Sequence, residues 1–216
     1  MTMTSFRATR RAAGRERVLA AGLGVLEREG LDAVTVRRIA AELDCTAPVI
    51  YQHFTNKDEL LGEIVAQGFD RLAERSRAAA VGHPTERLFR AAREYVDSAL
   101  ASPHLYRLMM DTSVLDAGRR SRAASRIAQD TEALLGAWAV EGCRALDVRR
   151  AAELLWAALH GVVQIAVLTG MEPSESRRLA EAGVTSLLAG WTANPPADLI
   201  RSVRQAEPES ATNPKY

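Results

Sequence analysis

Four histidines (His53, His83, His104, His160), two cysteines (Cys45, Cys143) and 27 carboxylates are the side chains of this 216-residue chain that could hold a metal or move a proton. Their spacing supports neither chemistry. No HExxH or comparable pattern brings two ligands to one helix face, no Gly-rich loop stands ready to cradle phosphate, and no Gly-x-Ser-x-Gly elbow presents a nucleophile. The cysteines lie far apart without a CxxC pair, which argues against a thiolate zinc site and a secreted disulfide scaffold. The sequence predicts no catalytic residue, no metal site and no cofactor.

Anion binding by cations remains. The formal net charge is only +1, yet residues 1–57 carry nine basic side chains against six acidic ones, a net +3, and the other 159 residues carry a net −2. Phosphate affinity comes from Lys and Arg, so a small basic segment on a larger, slightly acidic body suggests two jobs on one chain. Only two of the 28 basic residues are Lys, a bias that suits bidentate guanidinium contacts or a GC-rich genome equally. At 47% hydrophobic the chain can build one substantial core or two small ones. No apolar run approaches the roughly 20 residues of a membrane span, and residues 1–17 are polar and arginine-rich where a signal peptide would be apolar. The expectation is a cytoplasmic protein without a membrane partner.

Helices must position these groups. Ala, Leu, Arg and Glu dominate and no run of alternating β-branched residues occurs, so the expected class is all-α, about nine helices. The first, over 9–29, places Val18, Leu19, Leu23 and Leu26 on one face, with Gly30 as a left-handed terminus. Thr35 can cap a short helix over 36–43, Asp44-Cys45 turns, and Thr46 can cap another through about His53, with Pro48 tolerated in its first turn. That is a helix-turn-helix over about 35–54. Thr55, with Asp58 three residues on, starts a long helix, and five more follow over 84–101, 103–110, 118–140, 148–169 and 174–191. The stretch 154–166 is apolar around most of its circumference, which predicts a helix covered on several sides at the centre of a second core. From Ala193 onward the chain reads as a loose tail.

Gly30-Leu31-Asp32-Ala33-Val34-Thr35-Val36-Arg37-Arg38-Ile39-Ala40, Pro48-Val49-Ile50-Tyr51-Gln52-His53-Phe54 and Asn56-Lys57-Asp58-Glu59-Leu60-Leu61 occur in that order. With them, segment 15–61 resembles the DNA-binding domain of the tetracycline-repressor (TetR) family of bacterial regulators. Ile39, Ala40 and Leu43 should face a small core, and Ile50 and Phe54, four apart, should anchor the reading helix. The resemblance implies that Tyr51, His53 and Lys57 touch DNA phosphates, and that Ala47, Pro48, Val49 and Gln52 read base edges. Thr35, Arg37 and Thr46 lie at helix N-termini, where backbone N–H groups favour an anion. Tyr51 and His53 could instead be packing residues. Asp44 departs from the glycine most common at that turn, and aspartate tolerates the left-handed conformation. The arm with Arg7, Arg10 and Arg11 could reach a groove or backbone, or hang free.

Further on, Trp156-x-x-x-His160-Gly161 and Pro103-His104-Leu105-Tyr106-Arg107-Leu108-Met109-Met110 resemble the WHG type of TetR C-terminal domain. The implied organisation is a DNA-binding domain at 11–71, a ligand-binding and dimerisation domain at 72–193 and a flexible tail at 194–216. In the resemblance, the 154–170 helix and the last one, with Leu179, Val184, Leu187, Leu188 and Trp191, build a dimer's four-helix bundle. Phe89, Tyr95, Tyr106, Met109, Met110, Trp138, Trp156 and His160 are candidate ligand-binding residues; the same set would serve equally as plain core. The expected partners are a pseudo-palindromic double-stranded DNA operator, a second copy of the chain and a small apolar or amphipathic effector that releases a repressor. The competing expectation is a helical small-molecule sensor or interaction protein with no specific operator.

Overall fold

The computed structural model describes residues 3–111, 117–142 and 145–192, and every regular element among them is helical. In order these are α1 (Met3–Glu29), a 3-10 turn (Leu31–Ala33), α2 (Val36–Glu42), α3 (Ala47–Tyr51), α4 (Lys57–Ala79), α5 (Pro84–Ala101), α6 (Pro103–Met110), α7 (Ala117–Glu141), α8 (Val148–Thr169) and α9 (Pro173–Thr192). The all-α expectation holds: α5 and α6 begin at Pro84 and Pro103, and α8 ends at the left-handed Gly170 (φ 66°, ψ 32°). The 194–216 tail and Cys143 lie outside the described residues.

Local differences have local causes. Helix α1 starts at Met3 rather than Thr9, because nothing between Ser5 and Ala13 breaks a helix once it has propagated. Thr35 caps α2 as expected, its Oγ1 accepting from the Arg38 N–H at 3.1 Å. Thr46 stands at the N-cap of α3 without a side-chain bond, and α3 stops at Tyr51. The cap of α4 is Asn56, not Thr55: its Oδ1 accepts from the Glu59 N–H at 2.8 Å, and Glu59 reaches back to accept from the Thr55 N–H at 2.7 Å. Gly30 has φ 82° with ψ 177°, so it is extended rather than left-handed helical, in a region that only glycine enters freely.

One apolar cluster runs without a break from Val18 in α1 to Leu188 in α9. Two cores were a possibility; α4 and α6 join them. The first half of α4 buries Leu60, Leu61, Ile64 and Val65, and the second half Phe69, Leu72 and Ala73, so the helix passes unbroken through the expected 71/72 boundary. Helix α6 packs on its middle at Gly68, where an added Cβ would stand 2.8 Å from Met109 Sδ and 3.2 Å from a Leu105 methyl. Only a residue without a side chain allows that approach.

Helix α8 corrects two expectations. It is covered on one side only: Ala151, Leu155, Leu159, Val162, Val163 and Ala166 are buried, whereas Leu154, Ile165 and Leu168 are exposed, the last by 86%. The helix is 22 residues long and its most apolar 18-residue window has a mean hydropathy of 1.7, so by length and composition alone it could cross a membrane. Reading contiguous runs misses this because Glu153, His160 and Gln164 interrupt the apolar stretch. In α9, Val184 and Leu188, expected on a dimer face, are buried inside the subunit, and Trp191 meets Trp138 edge to face at 6.3 Å.

Candidate nucleic-acid interface and internal cavity

Ile39 and Ala40 of α2, Ile50 of α3 and Phe54 just beyond it are all buried, and Leu43 is half-buried against them. The connecting turn works through Asp44, at φ 50°, and through the Cys45 N–H, which bonds to the Ala40 carbonyl at 2.9 Å. With those anchors inward, Thr35, Arg37, Thr46, Pro48, Val49, Tyr51 and Gln52 stand exposed on the opposite side, and Ala47 and Lys57 are half-buried. Tyr51, 55% exposed, is no packing residue. His53 differs. Its ring lies on Gly14 of α1, where an added Cβ would be 2.7 Å from ring atoms, and its Nδ1 is buried without a hydrogen-bond partner. At least one side of this histidine holds α1 against the end of α3.

Ion pairs sort the basic residues of this region. Arg15 bridges to Glu63 at 3.1 Å and Glu59 at 3.5 Å and lies over the Phe54 ring, 4.4 Å from its centroid. Arg28 and Arg38 join Glu29 and Glu42 in a network between α1 and α2. Such exposed pairs contribute little stability but they occupy the cations. Among the described residues Arg10, Arg11, Arg17, Arg37 and Lys57 make no ion pair and are free to meet an external anion.

Between α4, α5, α7 and α8 lies a cavity of about 1040 Å3. Of the eight candidate ligand-binding residues, Tyr95, Met110, Trp156 and His160 line it. Tyr106 is buried behind them, its hydroxyl 2.8 Å from that of Tyr95 and 2.7 Å from His160 Nδ1, while Trp156 stacks on the His160 ring at 5.5 Å. The other three are elsewhere. Met109 fills the α4–α6 contact, Trp138 is core against Trp191, and Phe89 lies in a separate groove of about 390 Å3 along α5. Spacing alone cannot separate wall from core. Burial raises the Tyr95 pKa to about 12, pushes Tyr106 up further and holds His160 below the ordinary histidine range. Ser76, missed by sequence reasoning, also lines the cavity, and its Oγ is buried without a partner. Its signal was a hydroxyl on the stripe of Phe69, Leu72 and Ala73, where the periodicity calls for an apolar residue.

Helix α6 joins the cavity region to α1 and α4. Tyr106 is buried behind the cavity wall, and at the start of the same helix the Leu105 N–H and Ser102 lie beside the Glu27 carboxyl of α1 and favour its charged form. One Glu27 oxygen is buried without a partner, and burial raises its pKa. Among the described residues no group of three or more His, Cys, Asp or Glu side chains converges as metal ligands would.

Comparison with known proteins bears on both regions. Residues 18–64 match the family described as bacterial regulatory proteins, tetR family, and residues 88–187 match the tetracyclin repressor-like C-terminal domain. The tetracycline repressor protein class G of Vibrio anguillarum is 46% identical over 44 residues, 20% of this chain and 21% of the relative. The HTH-type transcriptional repressor KstR of Rhodococcus jostii (strain RHA1) is 31% identical over 74 residues, 34% of this chain and 35% of the relative. These alignments span about a fifth and a third of the relatives' lengths. The crystal structure of PfmR, a TetR family transcriptional regulator from Thermus thermophilus, superposes with a TM-score of 0.61 at 21% identity, covering 80% of this chain and 97% of that one, and so shares the fold.

Proposed function

The chain belongs to the TetR family of bacterial regulatory proteins, and we propose that it is a homodimeric, cytoplasmic, ligand-responsive repressor without catalytic activity. One observation carries the reading: an exposed reading face on a buried anchor, with unpaired cations beside it, shares a continuous core with a body that encloses a cavity. In this reading Arg37, Tyr51 and Lys57, with the N-termini at Thr35 and Thr46, hold phosphates, and His53 contributes whatever part of its ring Gly14 leaves free. Ala47, Pro48, Val49 and Gln52 face base edges; the first three suit thymine methyls, and Gln52 suits a bidentate bond to adenine.

The bare face of α8, with Leu154, Ile165 and Leu168, joined by Leu179 of α9, is the surface that a second copy covers. The two heads then dock in successive major grooves of a pseudo-palindromic operator. An effector in the cavity acts on Tyr106 and α6, and α6 acts on α1 through Glu27 and on α4 at Gly68, which changes the spacing of the heads. By linkage, DNA and effector weaken each other's binding by the same factor. Selection of fragmented genomic DNA on the purified chain tests this: discrete palindromic sites are expected, and enrichment without a common motif would favour a sensor with no operator. Leu168→Glu should yield monomers in sedimentation and lose the selected sites, and an intact dimer would refute the interface.

A further inference from the structure

The cavity wall specifies more about its occupant than size. Its charged groups are three arginines and three carboxylates: Arg77 pairs with Asp130 at 2.6 Å, Arg149 with Glu153 at 3.7 Å, the Arg87 Nε–H is held by the Ala80 carbonyl at 3.1 Å, and Glu132 is partly open to solvent. The wall is therefore neutral overall, and two of its three cations already have carboxylate partners. A charged ligand group brought here would lose water and find only Arg87, already held in part by a backbone carbonyl, or Glu132, partly open to solvent, as a counter-ion.

Hydrogen bonding then says what polar group is wanted. The Tyr95 hydroxyl pairs with that of Tyr106, and the nearby Trp156 indole, whose N–H can only donate, offers it no acceptor. Tyr95 can pass its own proton to the Tyr106 oxygen, and Tyr106 can pass its proton to His160 Nδ1. This direction leaves neither buried hydroxyl proton without an acceptor, whereas the reverse strands that of Tyr95. With Nδ1 as acceptor, the neutral ring carries its proton on Nε2, and among the described residues that N–H has no protein partner. Elsewhere on the wall the Ser76 hydroxyl, on a residue only 8% exposed, is unpartnered as well. The His160 Nε2–H and the Ser76 hydroxyl are thus neutral polar groups of this wall without a partner among the described residues.

Resting on the regulator reading above, we propose that the effector is an uncharged, largely apolar carbonyl compound whose oxygen accepts from the His160 Nε2–H, with the Ser76 hydroxyl open to a further polar atom where the ligand has one. Calorimetric titration of the full-length chain with four ten-carbon probes (2-decanone, decanoate, decylammonium and decane) tests it. The expected result is 2-decanone at least tenfold tighter than each of the others. His160→Leu should bring 2-decanone to within about twofold of decane, while His160→Gln, which keeps a donor, retains most of the preference even if the leucine variant fails to fold. Tighter binding of either charged probe, equal binding of 2-decanone and decane, no binding of any probe, or an unchanged ketone preference in folded His160→Leu overturns the proposal. Operator selection on the ligand-free chain separates the two readings: sites recovered together with a preference for a charged probe sink only the ligand class, and a ketone preference without sites sinks only the repressor.

Discussion

In the head, Ile39, Ala40, Ile50 and Phe54 are buried so that Arg37, Val49, Tyr51 and Gln52 can stand exposed, whereas in the body Tyr95 and Ser76 are just as buried and yet face a void of about 1040 Å3. The first region acts through atoms placed on its surface, and the second through atoms left out of its interior. A surface on two short helices is encoded by spacing within some twenty residues. A void needs four helices from distant parts of the chain, and each can mark it only by failing to fill it.

Changes that separate the regions sharpen that contrast. Phe54→Ala should have the largest effect, a loss of about 3–5 kcal/mol in urea unfolding, with operator binding abolished. Because the core is continuous, the wild-type chain should melt in a single calorimetric transition; two would show that head and body are independent units. Gly68→Val, which drives a side chain into Met109 at the joint, should cost about 1–3 kcal/mol and alter operator affinity without touching any DNA-facing residue. An operator affinity equal to wild type would exclude α6 as the connection.

Gln52→Ala should relax preference at one base position by roughly 1–3 kcal/mol and leave the melting curve alone; an unaltered selection profile would remove it from the reading face. Asp44→Gly should stabilise the turn by about 0.5–1 kcal/mol, since the left-handed conformation at φ 50° strains any residue with a Cβ. The smallest effect is a slope. Burial holds the His160 pKa down, so on acidification the unfolded chain takes this proton first. Its contribution is constant above the ordinary histidine value of about 6.5 and is lost as pH falls from there through the lowered folded value. His160→Gln should remove that part of the acid slope, and an identical slope in the variant would contradict the assignment.

Much of the head was legible because its signals are local. Thr35 as a cap, Ile50 and Phe54 as anchors and the turn at Asp44 each follow from a few neighbouring residues. His53 was not, since its role depends on Gly14, some forty positions earlier, having no side chain. In the body the proline and glycine boundaries of α5, α6 and α8 could be read directly. The roles of Phe89, Met109 and Trp138 could not, because aromatic and methionine side chains at helical spacing look the same whether they fill a core or line a gap. Leu154 and Ile165 were misread for a related reason: periodicity reports that a face is apolar, and it cannot say whether the cover comes from the same chain or from another copy.

Salt dependence of binding to the selected operator, compared between wild type and Lys57→Ala, tests the central claim most directly. Lys57 opens α4 beside the reading helix, has no ion-pair partner and is assigned to phosphate. If the head is a DNA-reading surface, the logarithm of affinity falls linearly with the logarithm of salt, and the variant loses about one unit of slope for each subunit's lysine, with its sequence preference unchanged. Equal slopes for the two proteins, or affinity that ignores salt, would contradict the account.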